Sequence, residues 1–164
     1  MATKWPYPPK QFDVVWCRIP YAGQQEDVRH PCLVLAISVS PANVMVMVAG
    51  GTSVAKDGHF VRQIKATDFV LQDPSVLQQA GLTNKTAFQF EAGTIMTFAW
   101  DNDRFVAGPP QGAPVAGTID LKNTRTYQAL IAAGKASNLN SLMEGEKQRV
   151  RQSGNSSLEE ATDP

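Results

Sequence analysis

The chain carries little that would announce a chemistry. Only two of its 164 residues are cysteine, Cys17 and Cys32. That is too few to staple a small secreted domain. Each sits in an apolar stretch, where a free cysteine behaves as a small hydrophobe. Charge of either sign is not in excess: 15 Lys and Arg balance 15 Asp and Glu, so composition alone gives no electrostatic pull toward nucleic acid. The distribution is slightly uneven. Residues 1–65 hold seven basic and four acidic side chains, and residues 66–164 hold eight and eleven. No apolar run reaches the length of a membrane span, and the start, Met-Ala-Thr-Lys-Trp-Pro, lacks the apolar core of a secretory signal. A cytoplasmic, reduced protein with no membrane partner is expected. Walker loop, dinucleotide fingerprint, paired-cysteine metal spacing and Gly-x-Ser-x-Gly elbow are all missing. Two histidines and scattered carboxylates form no cluster, so neither metal nor cofactor is expected.

What is present is a folded-protein composition, 43% hydrophobic and 18% charged, in a length that suits a single domain. Residues 1–11, with Pro6, Pro8 and Pro9, read as an extended arm. Residues 12–140 read as the domain. Residues 145–164, rich in Ser, Glu and Gly, are expected to be a disordered tail. Strands are expected at 12–19, 32–39, 44–48, 59–64, 86–90 and 94–99, with a short helical stretch at 74–80 closed by Gly81. Thr67 or Asp68 would cap a brief segment, and 108–117 would be loop. Helical spacing of Tyr127, Leu130 and Ile131 predicts a final helix over 122–138. Short strands with frequent turn signals point to a mainly β protein: a small, bent barrel with helical additions.

The chain is organised around Val28-Arg29-His30-Pro31-Cys32-Leu33-Val34-Leu35. Pro31 suits the first residue of a strand, since it cannot donate to a ladder. Arg29 and His30 then stand at the mouth of a rigid element, where a site can be built. The alternative is a strand start whose polar residues simply face water. The polar loop at 20–28 would overhang that mouth. If the second and third strands form an antiparallel hairpin turning at 40–43, Pro31 and Gly51 lie at one end of it. Arg29, His30, Thr52 and Ser53 would then face one gap, which suits a phosphate: Arg clamps its oxygens and His moves a proton near neutral pH.

Several short motifs, in order, resemble the toxins of the MazF/PemK group: Asp13-Val14-Val15-Trp16, Arg29-His30-Pro31-Cys32-Leu33-Val34-Leu35, Gly51-Thr52-Ser53, Ala80-Gly81-Leu82, and Gly117-Thr118-Ile119 before a helix. The resemblance implies an SH3-like β-barrel of PemK/MazF type with a C-terminal helix, usually a homodimer. It implies a metal-independent endoribonuclease acting on single-stranded RNA, held in check by an antitoxin protein. There the ribose 2′-OH attacks the adjacent phosphate and leaves a 2′,3′-cyclic phosphate and a 5′-OH. Arg29, His30 and Thr52 are the catalytic candidates, with Tyr21, Gly51 and Ser53 as substrate contacts. This chain departs from the family pattern twice. The family places Arg immediately before the proline, where His30 stands here and Arg29 lies one residue earlier. Its usual glycine before the first strand's Asp is replaced by Phe12. Because adjacent strand residues face opposite sides, a regular strand lets only one of Arg29 and His30 face Thr52. The other reading is a non-catalytic SH3-like binding or regulatory protein of phage or mobile-element origin.

Overall fold

A computed structural model describes residues 2–19, 28–56, 59–60, 63–108 and 112–139. The expected loop at 20–27 with Tyr21, the turn at 57–58 and the tail at 145–164 lie outside the described residues.

The protein is mainly β. Its strands are β1 (Asp13–Ile19), β2 (Val28–Val39), β3 (Val44–Ser53), β4 (Ala55–Lys56), β5 (His59–Phe60), β6 (Asp68–Leu71), β7 (Thr86–Gln89), β8 (Ile95–Ala99) and β9 (Val115–Thr118); α1 (Pro74–Gln79) precedes β7 and α2 (Thr124–Ala136) ends the described chain. The main sheet is antiparallel, ordered β6-β7-β3-β2-β1-β9, with β8 on β3 as well, and it curls into a half-barrel. β4 and β5 pair separately.

Strand alternation splits the interior in two. On β1 and β2, Val14, Leu33 and Leu35 face one apolar cluster, with Phe69, Phe88 and α2's Leu130. Val15, Cys17, Cys32 and Val34 face the other, with Val46, Val48, Trp100 and Phe105. Period-2 patterning over buried strands produces this division directly. The N-terminal arm is pinned to the second cluster's rim: Trp5 Nε1 donates to the Phe105 carbonyl at 2.8 Å, and Trp100 Nε1 donates to that of Tyr7 at 2.9 Å.

Four sequence expectations are corrected. β2 starts at Val28, not at 32, so Pro31 lies within it. Residues 28–31 keep their ladder with β1, while pairing with β3 begins only at Cys32, one residue beyond the proline that has no N–H to give. β3 does not stop at the glycines; it runs on to Ser53, past the end of its pairing with β2, and pairs there with β7. Instead of a capped segment, 68–71 forms β6, whose Phe69 and Leu71 are buried in alternation. The segment expected as loop contains β9, which pairs with β1.

Phe12 has a φ of 69°, in the left-handed region where most side chains are strained. Its ring is nonetheless buried. The conformation is held by two backbone bonds, from Phe12 N to Val34 O at 2.7 Å and from Ile119 N to Phe12 O at 3.0 Å.

The two helices are tied at their starts. Asp73 accepts from Ser75 N at 2.9 Å, and Asn123 accepts from Thr126 N at 3.0 Å while its Nδ2 donates to Asp73 at 3.3 Å. The Ser75 hydroxyl and amide hold the Asp73 carboxyl below its usual pKa. Asn123→Ala removes both the α2 cap and this tie. It is expected to cost about 1–2 kcal/mol, read as a shift of the urea-unfolding midpoint; Arg125→Ala, an exposed position in the first turn of α2, serves as the control that stays near zero.

Candidate functional site

β3 is central because Val44 to Val48 is apolar on both faces. It has β2 along one edge and, along the other, β8 on its first half and β7 on its last residues. The change occurs at Gly50–Gly51. A Cβ built on Gly51 would lie 2.6 Å from the Pro31 carbonyl oxygen and 2.8 Å from the Phe88 ring. Only glycine lets the strand pass this closely between a neighbouring backbone and a core aromatic. Immediately beyond it, Thr52 pairs with Ala87 and Ser53 with Thr86, both half-buried.

On the other side of this corner stand Arg29 and His30. The register opposes Cys17 to His30 and Arg18 to Arg29. His30 therefore lies on the face of Cys17 and Cys32, and Arg29 on the face of Trp16 and Pro31. On β3, Gly50 pairs with Cys32, and alternation carries Thr52 onto that same face. Of the two candidates, His30 is the one that shares a face with Thr52. Arg29 is turned the other way: its guanidinium carbon sits 5.0 Å from the centre of the Trp16 ring, and its Nη1 donates to the Ala107 carbonyl at 3.3 Å.

The electrostatics of His30 follow from this position. It is half-buried, and desolvation lowers its pKa below the ordinary 6.5; a hydrogen bond to the Gly51 backbone, which favours the protonated ring, opposes that shift without cancelling it. At neutral pH the ring is uncharged. Beneath it, Cys17 and Cys32 are free thiols, both fully buried. Burial pushes the Cys32 thiol well up, and the adjacent Cys17 adds to the shift, so Cys32 stays a protonated, unreactive core residue.

A stability prediction follows. A histidine whose folded pKa is lowered binds fewer protons when folded than when unfolded. Its contribution is fully present above pH 6.5 and is lost as the pH falls through the folded pKa. Thermal melts from pH 7.5 to 5 are expected to show His30→Gln losing less stability on acidification than wild type. Parallel curves for the two proteins would contradict the lowered pKa.

The site stands at the corner of the sheet where β3 ends its pairing with β2 and takes up β7. The cavities described lie elsewhere: one of about 240 Å³ between β6 and α2, lined by Asp73, Arg125 and Thr126 among others, and a wide groove beside Gln11, Phe12 and Lys122. Among the described residues, no three His, Cys, Asp or Glu side chains converge as a metal-ligand set, and no helix is long and apolar enough to cross a membrane.

Of the sequence candidates, His30 is bonded to the Gly51 backbone, and Thr52 follows on the face of His30, with Ser53 next along β3. Arg29 is adjacent in sequence but on the opposite face. Sequence reading missed Trp16 as the partner of Arg29. The signal was there in principle, since a residue two positions from a cross-strand neighbour lies within reach of an aromatic side chain, but the register was needed to use it. No protein-family model matches the chain, and a search of curated proteins finds no match.

Proposed function

We propose that the His30–Gly51–Thr52 corner is the reactive site of a metal-independent endoribonuclease toxin with an SH3-like barrel of the MazF/PemK kind. The observation that carries this reading is the shared face: a neutral, half-buried imidazole bonded to the Gly51 backbone, on the same face as the Thr52 hydroxyl, at a glycine whose missing side chain lets β3 pass close to Pro31 and Phe88. The left-handed φ of Phe12 adds support, because the resemblance has a glycine at that position. So does a curled antiparallel sheet closed by a C-terminal helix.

In this mechanism His30 takes the proton of a ribose 2′-OH as that oxygen attacks the neighbouring phosphorus. The bond from phosphorus to the 5′ oxygen breaks, and the imidazolium returns its proton to the departing oxygen. The products are a 2′,3′-cyclic phosphate and a 5′-OH. The Thr52 hydroxyl donates to a non-bridging phosphate oxygen and orients it for in-line attack. Single-stranded RNA is the substrate, an antitoxin protein is the partner that restrains it, and the active species is a homodimer. Induced expression of wild type is expected to arrest bacterial growth with fragmentation of total RNA, and Thr52→Ala to grow normally at equal protein level. Growth arrest by both would refute the assignment of Thr52.

A second reading has a specific observation behind it. Arg29, the cation nearest the corner in sequence, is engaged on the opposite face by Trp16 and Ala107. That suits a barrel that binds without cutting, a regulatory protein of phage or mobile-element origin. It predicts harmless expression of every variant.

A further inference from the structure

The face of β1 and β2 opposite the corner carries a feature that the cleavage mechanism does not use. Trp16 and Arg18 on β1 lie beside Pro31 and Arg29 on β2. Trp16 is half-buried and its indole is braced from below: a Cβ on Gly108 would come within 2.1 Å of it. Arg29 is exposed, yet its guanidinium is fixed over that indole and bonded to Ala107. Arg18 is exposed and directly opposite Arg29. Arg104 joins the group, its Nη1 donating to the Arg18 carbonyl at 3.4 Å and the Arg18 amide donating to the Arg104 carbonyl at 2.7 Å. Among the described residues neither Arg18 nor Arg29 is in an ion pair; the ion pair described joins Lys65 to Glu91, on other elements.

We propose that the Arg29 guanidinium, held over the Trp16 ring and tied to the Ala107 carbonyl, is a stacking platform for one base of single-stranded RNA, with Arg18 receiving the adjoining phosphate. The substrate class rests on the proposed RNA-cleaving reading; the platform itself rests on the geometry. A guanidinium is planar and delocalised, stacks on π faces on both of its sides, and is weakly hydrated. With one side already on an indole and its rotation restrained by a carbonyl, little further side-chain freedom is lost when a base covers the other side. Unstacked bases of single strands are recognised on such aromatic and guanidinium planes. An acidic peptide would pair with the charges of Arg18 and Arg29 but makes no use of a guanidinium fixed over an indole. The platform adjoins His30 in sequence but lies on the opposite face of β2, so its binding of RNA is measured apart from cleavage.

The test measures binding of the full-length Thr52→Ala protein, which isolates binding from cutting, to three fluorescein-labelled probes: an eight-nucleotide uridine RNA, the same ribose–phosphate chain without bases, and an octaglutamate peptide. Arg29→Ala is expected to weaken uridine RNA binding by about tenfold, the lower range for loss of one stacked base. Arg29→Lys is expected to weaken it almost as much, since charge remains and the plane is lost. Binding of the baseless chain is expected to be weak and to change less than threefold with either substitution. Full rescue by lysine, or equal losses on the baseless chain, would overturn stacking in favour of a simple phosphate contact. Arg29-dependent binding of octaglutamate without Arg29-dependent RNA binding would overturn it in favour of an acidic protein partner. Cleavage by otherwise unmutated protein separates the two claims. Arg29-dependent RNA binding without cleavage upholds the platform and refutes the nuclease; cleavage with uridine RNA binding indifferent to Arg29 does the reverse.

Discussion

Substitution of His30 by glutamine is expected to lower RNA cleavage by about 10²–10⁴-fold, the range for removing a positioned general acid–base group. Glutamine has a similar volume and can still donate a hydrogen bond toward the Gly51 backbone, so the strand exchange should survive. It cannot take and return a proton. At pH 7.5 the ring it replaces is already uncharged, because burial lowers its pKa, so the folded state loses no buried charge pair. Cleavage and stability are therefore expected to separate: large loss in rate, small change in melting temperature. For wild type the acid limb of the pH–rate profile should have its midpoint below 6.5, in the direction of the His30 shift. A variant that cuts at the wild-type rate would remove His30 from the chemistry. One that fails to melt cooperatively would show that His30 is structural instead.

The second large effect concerns the frame of the corner rather than its reacting groups. Phe88 is fully buried. Its ring stands 6.2 Å from that of Phe69 and closes the space beside Gly51. Phe88→Ala deletes this packing and leaves a cavity between Phe69 and the Gly51 backbone. The expected cost is about 3–5 kcal/mol, a large share of the roughly 5–15 kcal/mol that holds a domain folded. It should appear as a fall in the denaturant midpoint with little change in slope. Tyr7→Ala is the matched control: that ring is 83% exposed, and its loss should stay within about 0.5 kcal/mol. A cost below 1 kcal/mol for Phe88→Ala would mean that the β3–β7 contact does not support the strand exchange.

The hairpin of β2 and β3 was legible because its two strands are runs of Val, Leu, Ile and Met around a Pro41-Ala42-Asn43 turn, a local signal that needs no tertiary information. α2 was legible for the same reason, its Leu130 being buried and Tyr127 and Ile131 packed beside it. β6 and β9 were not. Asp68-Phe69-Val70-Leu71 is four residues long and follows a polar stretch, and Val115-Ala116-Gly117-Thr118 lies amid prolines and glycines. Both are strands because a partner, β7 or β1, supplies the ladder; propensity alone does not produce them. The run of β3 through Gly50 and Gly51 was hidden similarly, since glycine reads as a stop where here it is a point of close passage. Within the site, the sequence could bring Arg29, His30 and Thr52 to one end of the hairpin but could not divide the first two. That required the register of β1 on β2, which no local pattern encodes. The fixing of Arg29 on Trp16 is a consequence of that same register.

The most direct measurement is cleavage of a long, mixed-sequence single-stranded RNA by purified wild-type protein in EDTA, beside Thr52→Ala, with the fragment ends typed chemically. Cuts at defined sequences, leaving 2′,3′-cyclic phosphate and 5′-OH ends and lost in Thr52→Ala, are the predicted result. Intact RNA with well-folded wild type, or equal cutting by both proteins, would contradict a nuclease site at the His30–Gly51–Thr52 corner.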